Sequence, residues 1–180
     1  MRPESEVPRP LEGGLVRLRA LEEADAERLN PHFNDPEVLE NTFTFPQPVE
    51  GFREFWRAQR ADPDKLNLAI EVRATGETVG VCGLEGLSLS SAPELGLWIG
   101  KPWWNQGYGT DAVRTLCRFA FRELNVHRVT LHVYATNPRA IRAYEKVGFR
   151  LEGTQRRDMF WRGRWVDSHV MGLLADELKG

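Results

Sequence analysis

Apolar and polar positions begin to alternate at Leu15, where Leu15, Arg17 and Arg19 interleave with Val16, Leu18 and Ala20 in the period-two pattern of a short strand. Glu22, Glu23, Asp25 and Glu27 follow, a density of carboxylates that suits the first turn of a helix, whose unpaired amides carry partial positive charge. From Asn30 to Pro48 the chain is interrupted by Pro and Asn, leaving room only for a short helical piece over Pro36 to Glu40. Val49 to Ala61, with Phe52, Phe55 and Trp56 at helical spacing, predicts an amphipathic helix that is aromatic on one side. Leu66 to Val72 and Thr78 to Leu84 read as a strand pair whose loop contains Gly76, a residue that tolerates positive φ. After a loop over Leu87 to Pro93 comes a third strand, Glu94 to Ile99. A strongly periodic helix then carries Ala112, Val113, Leu116, Cys117, Ala120 and Leu124 on one stripe. A strand over Val129 to Val133 precedes Asn137 and Pro138, an N-cap and first-turn pair, and the helix they open closes at Gly148. Phe149 begins a further strand, and Gly163 turns a hairpin into a last strand over Asp167 to Leu174.

At 180 residues the chain is sized for one domain with a single core. Its 24 Lys and Arg against 26 Asp and Glu leave a net charge of −2, so no global field recruits nucleic acid or an anionic membrane. Its longest apolar runs fall far short of the roughly 20 residues a membrane helix needs. Residues 1–14 are polar, rich in Pro and Gly and without an apolar signal core, so they are expected to be a disordered lead-in to a domain over 15–180. Cys82 and Cys117 provide neither a disulfide framework nor a metal-ligand spacing, which points to a reducing cytoplasm and to no bound metal.

The informative segment is Asn105-Gln106-Gly107-Tyr108-Gly109-Thr110, between a strand and a helix, where free amides and glycines form a natural anion site. A Walker loop is excluded, because no Gly-Lys-Ser/Thr tripeptide occurs in the chain. A dinucleotide fingerprint is matched formally by Gly107, Gly109 and Ala112, but Lys101 to Gln106 separate the first Gly from its strand. The acid expected roughly 20 residues further on is also missing, the chain having Leu131, His132 and Val133 there. A pyrophosphate cradle for coenzyme A and a simple tight turn remain.

The segment Asn137-Pro-Arg-Ala-Ile-Arg-Ala-Tyr-Glu-Lys-Val-Gly-Phe decides between them. Together with Trp104-Asn-Gln-Gly-Tyr-Gly it resembles the GNAT superfamily of acyl-CoA-dependent N-acetyltransferases, with Trp104 standing where the family loop has Gln or Arg. Pro102-x-Trp104 through Ala112 and the C-terminal Trp161-x-Gly-x-Trp-x-Asp are similar to the RimJ/RimL-type branch, and the resemblance runs over Leu15 to Leu174. It implies an α/β (α+β) GNAT fold: a mixed central sheet of six to seven strands, splayed in the middle, with helices on both faces. It also implies acetyl-CoA as cofactor, with contacts from Leu97, Trp98 and Ile99, from Asn105, Gln106, Gly107, Tyr108, Gly109 and Thr110, and from Asn137 and Tyr144. Tyr144 would be the general acid at the departing sulfur and Glu94 the base, with Asp158 and His132 as alternatives in reach; Asp111 must point away from the phosphates. Cys117, on an apolar stripe, reads as a core thiol rather than a nucleophile.

The resemblance places the acceptor among Asn41, Phe43, Phe45, Phe52, Trp56, Phe160, Trp161 and Trp165, of which Phe45, Trp56 and Trp161 are the expected substrate-binding residues. The expected partner is an amine, on a protein N-terminus or a small molecule. Glu37, Glu40 and Glu50 are too scattered to form a polyamine pocket. The competing reading is a non-catalytic coenzyme-binding or RNA/ribosome-associated module, to which Arg156, Arg157, Arg162 and Arg164 would contribute a basic stripe. Nucleic acid is not the expected partner, and the branch implies pairing of two copies through the C-terminal strands.

Overall fold

The computed structural model describes residues 11–88 and 92–180. Seven strands form one sheet in the order β1-β2-β3-β4-β5-β7-β6. They are β1 (Val16–Ala20), β2 (Lys65–Val72), β3 (Thr78–Glu85), β4 (Glu94–Ile99), β5 (Arg128–Tyr134), β6 (Arg150–Trp161) and β7 (Arg164–Leu174). The helices are α1 (Glu23–Phe33), α2 (Pro36–Thr42), α3 (Val49–Ala61), α4 (Tyr108–Glu123) and α5 (Pro138–Val147).

Every neighbouring pair is antiparallel except β4 and β5, which run parallel and meet at a single rung, Glu94 opposite Thr130. Beyond that rung the sheet opens. A parallel pair needs a crossover between its strands, and α4 is that crossover. Its apolar stripe of Ala112, Val113, Leu116, Cys117 and Ala120 is fully buried against the main core, which also takes Tyr144, Val147 and Phe149 from the α5 region, whereas Leu124, expected on the same stripe, lies past the last turn as the C-cap and is 38% exposed. The opposite face of the sheet is covered by α1 and α3, whose Ala26, Leu29 and Phe52 pack with Val81 in a second cluster. A third cluster, Phe43, Trp161 and Val166, joins the end of α2 to the β6–β7 hairpin.

Several boundaries differ from the sequence pattern. Leu11–Gly14 belong to the fold: Leu18 N–H donates to Leu11 O (2.9 Å), and Gly13 N–H to Val16 O (2.8 Å). Arg118 donates to Glu12 O and Arg73 to Gly13 O. These long-range bonds hold a tight turn that local composition reads as tail; residues 1–10 of the expected lead-in lie outside the described residues. Helix α1 runs through Pro31 to Phe33, because a proline near a helix end forfeits only one late hydrogen bond. The last strand starts at Arg164, with Gly163 at φ +82° in the hairpin turn. Of the loop before β4, residues 89–91 lie outside the described residues.

A buried ion network stitches α1 to the sheet. Arg19 donates to both oxygens of the fully buried Asp25 (2.7 and 2.9 Å) and to Glu71 (2.6 Å), and Thr78 Oγ1 donates to Asp25 (3.2 Å). Burial raises the Asp25 pKa, but the hydrogen bonds from Arg19 and from Glu22 N–H outweigh it, leaving the carboxyl below its ordinary value. Glu71 is lowered by its Arg19 hydrogen bond as well.

Candidate active site

The opening between β4 and β5 is a cleft of about 580 Å3 bordered by both strands, the 105–110 turn and α5. Its size is that of a small-molecule site. Gly100 N–H donates to Val79 O on the β3 side, so by strand alternation Leu97 and Ile99 direct their peptide groups to the open side. Ile99 O accepts there from the Trp104 indole Nε1 (2.7 Å), and Leu97 keeps its donor and acceptor free of any partner on that side among the described residues, open to an extended ligand. Trp98 borders the cleft too, but its ring packs on Phe33 (centroids 5.0 Å apart) in the second cluster.

Asn105 at φ +61° and Gly107 at φ +85° bend the chain sharply into α4, conformations that Asn and Gly tolerate best. No side chain caps the helix, whose first bond is Asp111 N–H to Gly107 O (3.0 Å). The N–H groups of Asn105 to Thr110 therefore have no acceptor among the described residues. A turn of unpaired amides at the head of a 16-residue helix favours an anion. Gly109 reinforces this reading: a Cβ there would come no nearer than 3.7 Å to protein, so packing does not demand glycine, and its bare face borders the cleft. Gln106 turns its side chain back to Pro102 O and is the one residue of the turn that does not border the cleft. Asp111 points away, accepting from Gly14, Leu15 and Val16 N–H (3.2, 2.7 and 3.0 Å).

Across the cleft, Asn137 caps α5 with its side-chain oxygen, accepting from Ala140 N–H (3.2 Å), and its amide NH2 has no acceptor among the described residues. Two turns on, Tyr144 is 5% exposed, stands against Phe149 and borders the cleft. Burial pushes its phenol up to about 12, and its hydroxyl has no hydrogen-bond partner among the described residues. It stays protonated through the neutral and mildly alkaline range. Cys117, expected as a core thiol rather than a nucleophile, is fully buried, which raises its pKa and keeps it a thiol.

Glu94 heads β4 at the sole β4–β5 rung, and its Oε1 meets His132 Nδ1 of β5 at 2.9 Å; both side chains are partly exposed and border the cleft. Asp158 instead accepts from Ser168 Oγ (2.7 Å) within the hairpin and does not border the cleft. The expected acceptor residues divide. Trp161 is buried, donates from Nε1 to Glu40 (2.9 Å), and is joined by the 71% exposed Phe45 (centroids 5.3 Å apart). This group reaches the cleft through Tyr134, which meets Phe43 edge-to-face (centroids 4.0 Å apart). Trp56 does not share the site: it packs on Phe52 and lines a separate pocket between α3 and β2. An aromatic stripe on a helix gives the same pattern whichever side of the sheet it covers. The Glu94–His132 contact and a stack of Arg139 on Trp104 were not legible as pairs, since each joins distant segments.

An open strand edge, a turn of bare amides and a protonated phenol facing them suit an extended thioester coenzyme with phosphates at one end and sulfur at the other. A family model described as an acetyltransferase (GNAT) domain matches residues 16–150. The chain is 27% identical over 159 residues to the L-amino acid N-acetyltransferase AaaT of Escherichia coli K12, covering 87% of this chain and 96% of that one. It is 29% identical over 174 residues to the putative ribosomal N-acetyltransferase YdaF of Bacillus subtilis 168, covering 92% and 94%. The crystal structure of spermidine N-acetyltransferase from Vibrio cholerae in complex with CoA and spermine shares the fold, with a TM-score of 0.82, 24% identity and coverage of 91% and 97%. The chain belongs to the GNAT acetyltransferase family, an N-acetyltransferase that uses acetyl-CoA.

Proposed function

We propose that this enzyme acetylates a primary amine with Glu94 as base and Tyr144 as acid, the two groups bordering one cleft with the amide turn between β4 and α4. That shared cleft is the observation that carries the reading. An amine arrives as its ammonium, Glu94 takes a proton from it directly or through one water, and the freed lone pair attacks the thioester carbonyl. As the C–S bond breaks, Tyr144 gives its proton to sulfur and the attached nitrogen gives up its second proton, directly or through water, to the resulting phenolate, so the amide, the CoA thiol and Tyr144 end neutral and one proton remains on Glu94 for release to solvent. His132 holds the Glu94 carboxylate across the mouth of the splay. A non-catalytic binding module would have no use for a buried phenol that borders the cleft with no hydrogen-bond partner among the described residues.

The acceptor side favours a monoamine. Glu94 is the only carboxylate among the described residues bordering the cleft. Nearby Glu37 is paired with Lys101, and Glu40 is held by Trp161, Arg162 and Arg164. A polyamine carries several ammonium groups and would want several free carboxylates, so an α-amine on a peptide or a small molecule with one amine fits better. The Pro102-to-Ala112 segment supports a place in the RimJ/RimL-type branch, and two buried free thiols suit the cytoplasm. Pairing of two copies belongs to the same reading: β6 is an edge strand, and Leu151, Phe160 and Trp165 are exposed along the hairpin.

A thiol-release assay with acetyl-CoA across peptides, amino acids, aminoglycosides and polyamines tests the reading. Turnover with a monoamine or peptide is expected; turnover confined to polyamines overturns the acceptor class, and none with any amine overturns the catalytic role.

A further inference from the structure

The guanidinium of Arg139 lies 3.3 Å above the centre of the Trp104 ring. Trp104 ends the segment that leaves β4, and Arg139 is the second residue of α5, so the stack spans the two sides of the splay. The ring is fixed from behind by its indole bond to Ile99 O, which makes it a rigid platform. Both residues border the cleft, and Asn105, the first of the bare amides, directly follows Trp104.

Arg139 has neither an ion pair nor a hydrogen bond among the described residues. The carboxylate whose field reaches it, Glu37, is already paired with Lys101. An arginine carries donors in a fixed planar fork suited to carboxylate or phosphate, and a half-buried arginine normally spends them on such a partner. Here burial lowers its pKa without removing its charge, because the ordinary value lies so far above neutrality. The ring face satisfies the charge electrostatically while leaving the N–H fork in its plane unused.

We infer that Arg139, held on Trp104, is a coenzyme phosphate clamp that closes over the anion lying on the amides of Asn105 to Thr110. This rests on the acetyltransferase reading and adds a residue to it. The amides bind from the α4 side and carry no formal charge; Arg139 supplies a full positive charge from the α5 side. Arg142 and Lys146 border the same cleft one and two turns further along α5 and extend the positive wall.

Calorimetric titration of the wild-type chain, Arg139→Gln and Arg139→Lys with CoA, dephospho-CoA and phosphate-free pantetheine tests it. Arg139→Gln should weaken CoA binding about 10- to 100-fold, the range of a charge-assisted hydrogen bond, with pantetheine binding unchanged. Arg139→Lys, which keeps charge without the planar fork, should fall between. A loss for CoA well above that for dephospho-CoA assigns the clamp to the 3′-phosphate, and equal losses assign it to the pyrophosphate; either supports the inference. Wild-type affinity in Arg139→Gln overturns it, and so does an equal loss for CoA and pantetheine, which would make the stack a strap that only shapes the cleft. Failure of the wild-type chain to bind CoA is a different result and overturns the acetyltransferase reading itself.

Discussion

His132 Nδ1 lies 2.9 Å from Glu94 Oε1, joining β5 to β4 one rung from where the two strands part. The carboxylate that faces the acceptor is thus tied to the last point at which the sheet is closed. Glu94→Gln should lower kcat about 100-fold or more, the usual size of a lost general base, while leaving coenzyme affinity within about twofold. His132→Gln should cost less and shift the pH dependence of kcat/KM, because it alters how the carboxylate is held rather than removing it. A wild-type pH profile in both variants would take this pair out of the proton path.

Tyr144→Phe removes only a hydroxyl that has no hydrogen-bond partner among the described residues, so the fold should not notice. Its kcat should fall about 100-fold or more with KM for acetyl-CoA little changed, since the proton is needed only as sulfur departs. Steady-state kinetics with a good amine acceptor check this, and an unchanged kcat would exclude the phenol as acid.

Gly109 offers a test of the cradle that does not touch charge. Gly109→Leu puts a side chain into the cleft at a helical position where its Cβ meets protein no nearer than 3.7 Å, so melting of the free protein should barely move. Saturating CoA should raise the melting temperature of the wild-type chain by about 5–10 °C, from roughly 2.7 kcal/mol of binding at a hundredfold excess over Kd. In Gly109→Leu most of that rise should vanish.

The Arg19–Asp25 network predicts acid sensitivity. Asp25 and Glu71 have folded pKa values below their ordinary 3.8 and 4.5, so the unfolded chain binds protons first as pH falls. Their stabilisation is full above about pH 5, declines as pH drops through that range, and is gone only below their folded values. Asp25→Ala leaves Arg19 short of a buried partner and should cost about 3–5 kcal/mol near neutrality while flattening the acid limb of the stability curve. Chemical denaturation at several pH values reads both effects.

Local signals carried much of this architecture. The α4 stripe as far as Ala120, the bounds of β4 and α3, the Asn137 cap with Pro138 and the positive φ at Gly76 all depend on neighbours in the chain, and the fold reproduces them. The parts that pattern could not reach are contacts between distant segments. Glu94 was legible as a strand-end acid, but its bond to His132 depends on a single parallel rung that periodicity does not encode. Trp104 read as a departure from the family loop, and only the placement of α5 shows Arg139 lying on it. Trp56 went the other way, since its stripe faces the α1–α3 side of the sheet while the cleft opens among β4, β5, α4 and α5.

Asp111 uses its carboxylate oxygens on the amides of Gly14, Leu15 and Val16, and a Cβ on Gly13 would strike that carboxylate at 2.3 Å. The same residue sits in the first turn of α4, the turn whose bare amides face the cleft. What happens at the start of β1 is therefore felt where the coenzyme's anionic end would lie. Trimming the chain to its first regular strand would remove a brace from the mouth of the helix, so the smallest unit that keeps full affinity begins upstream of β1, at Leu11 or before.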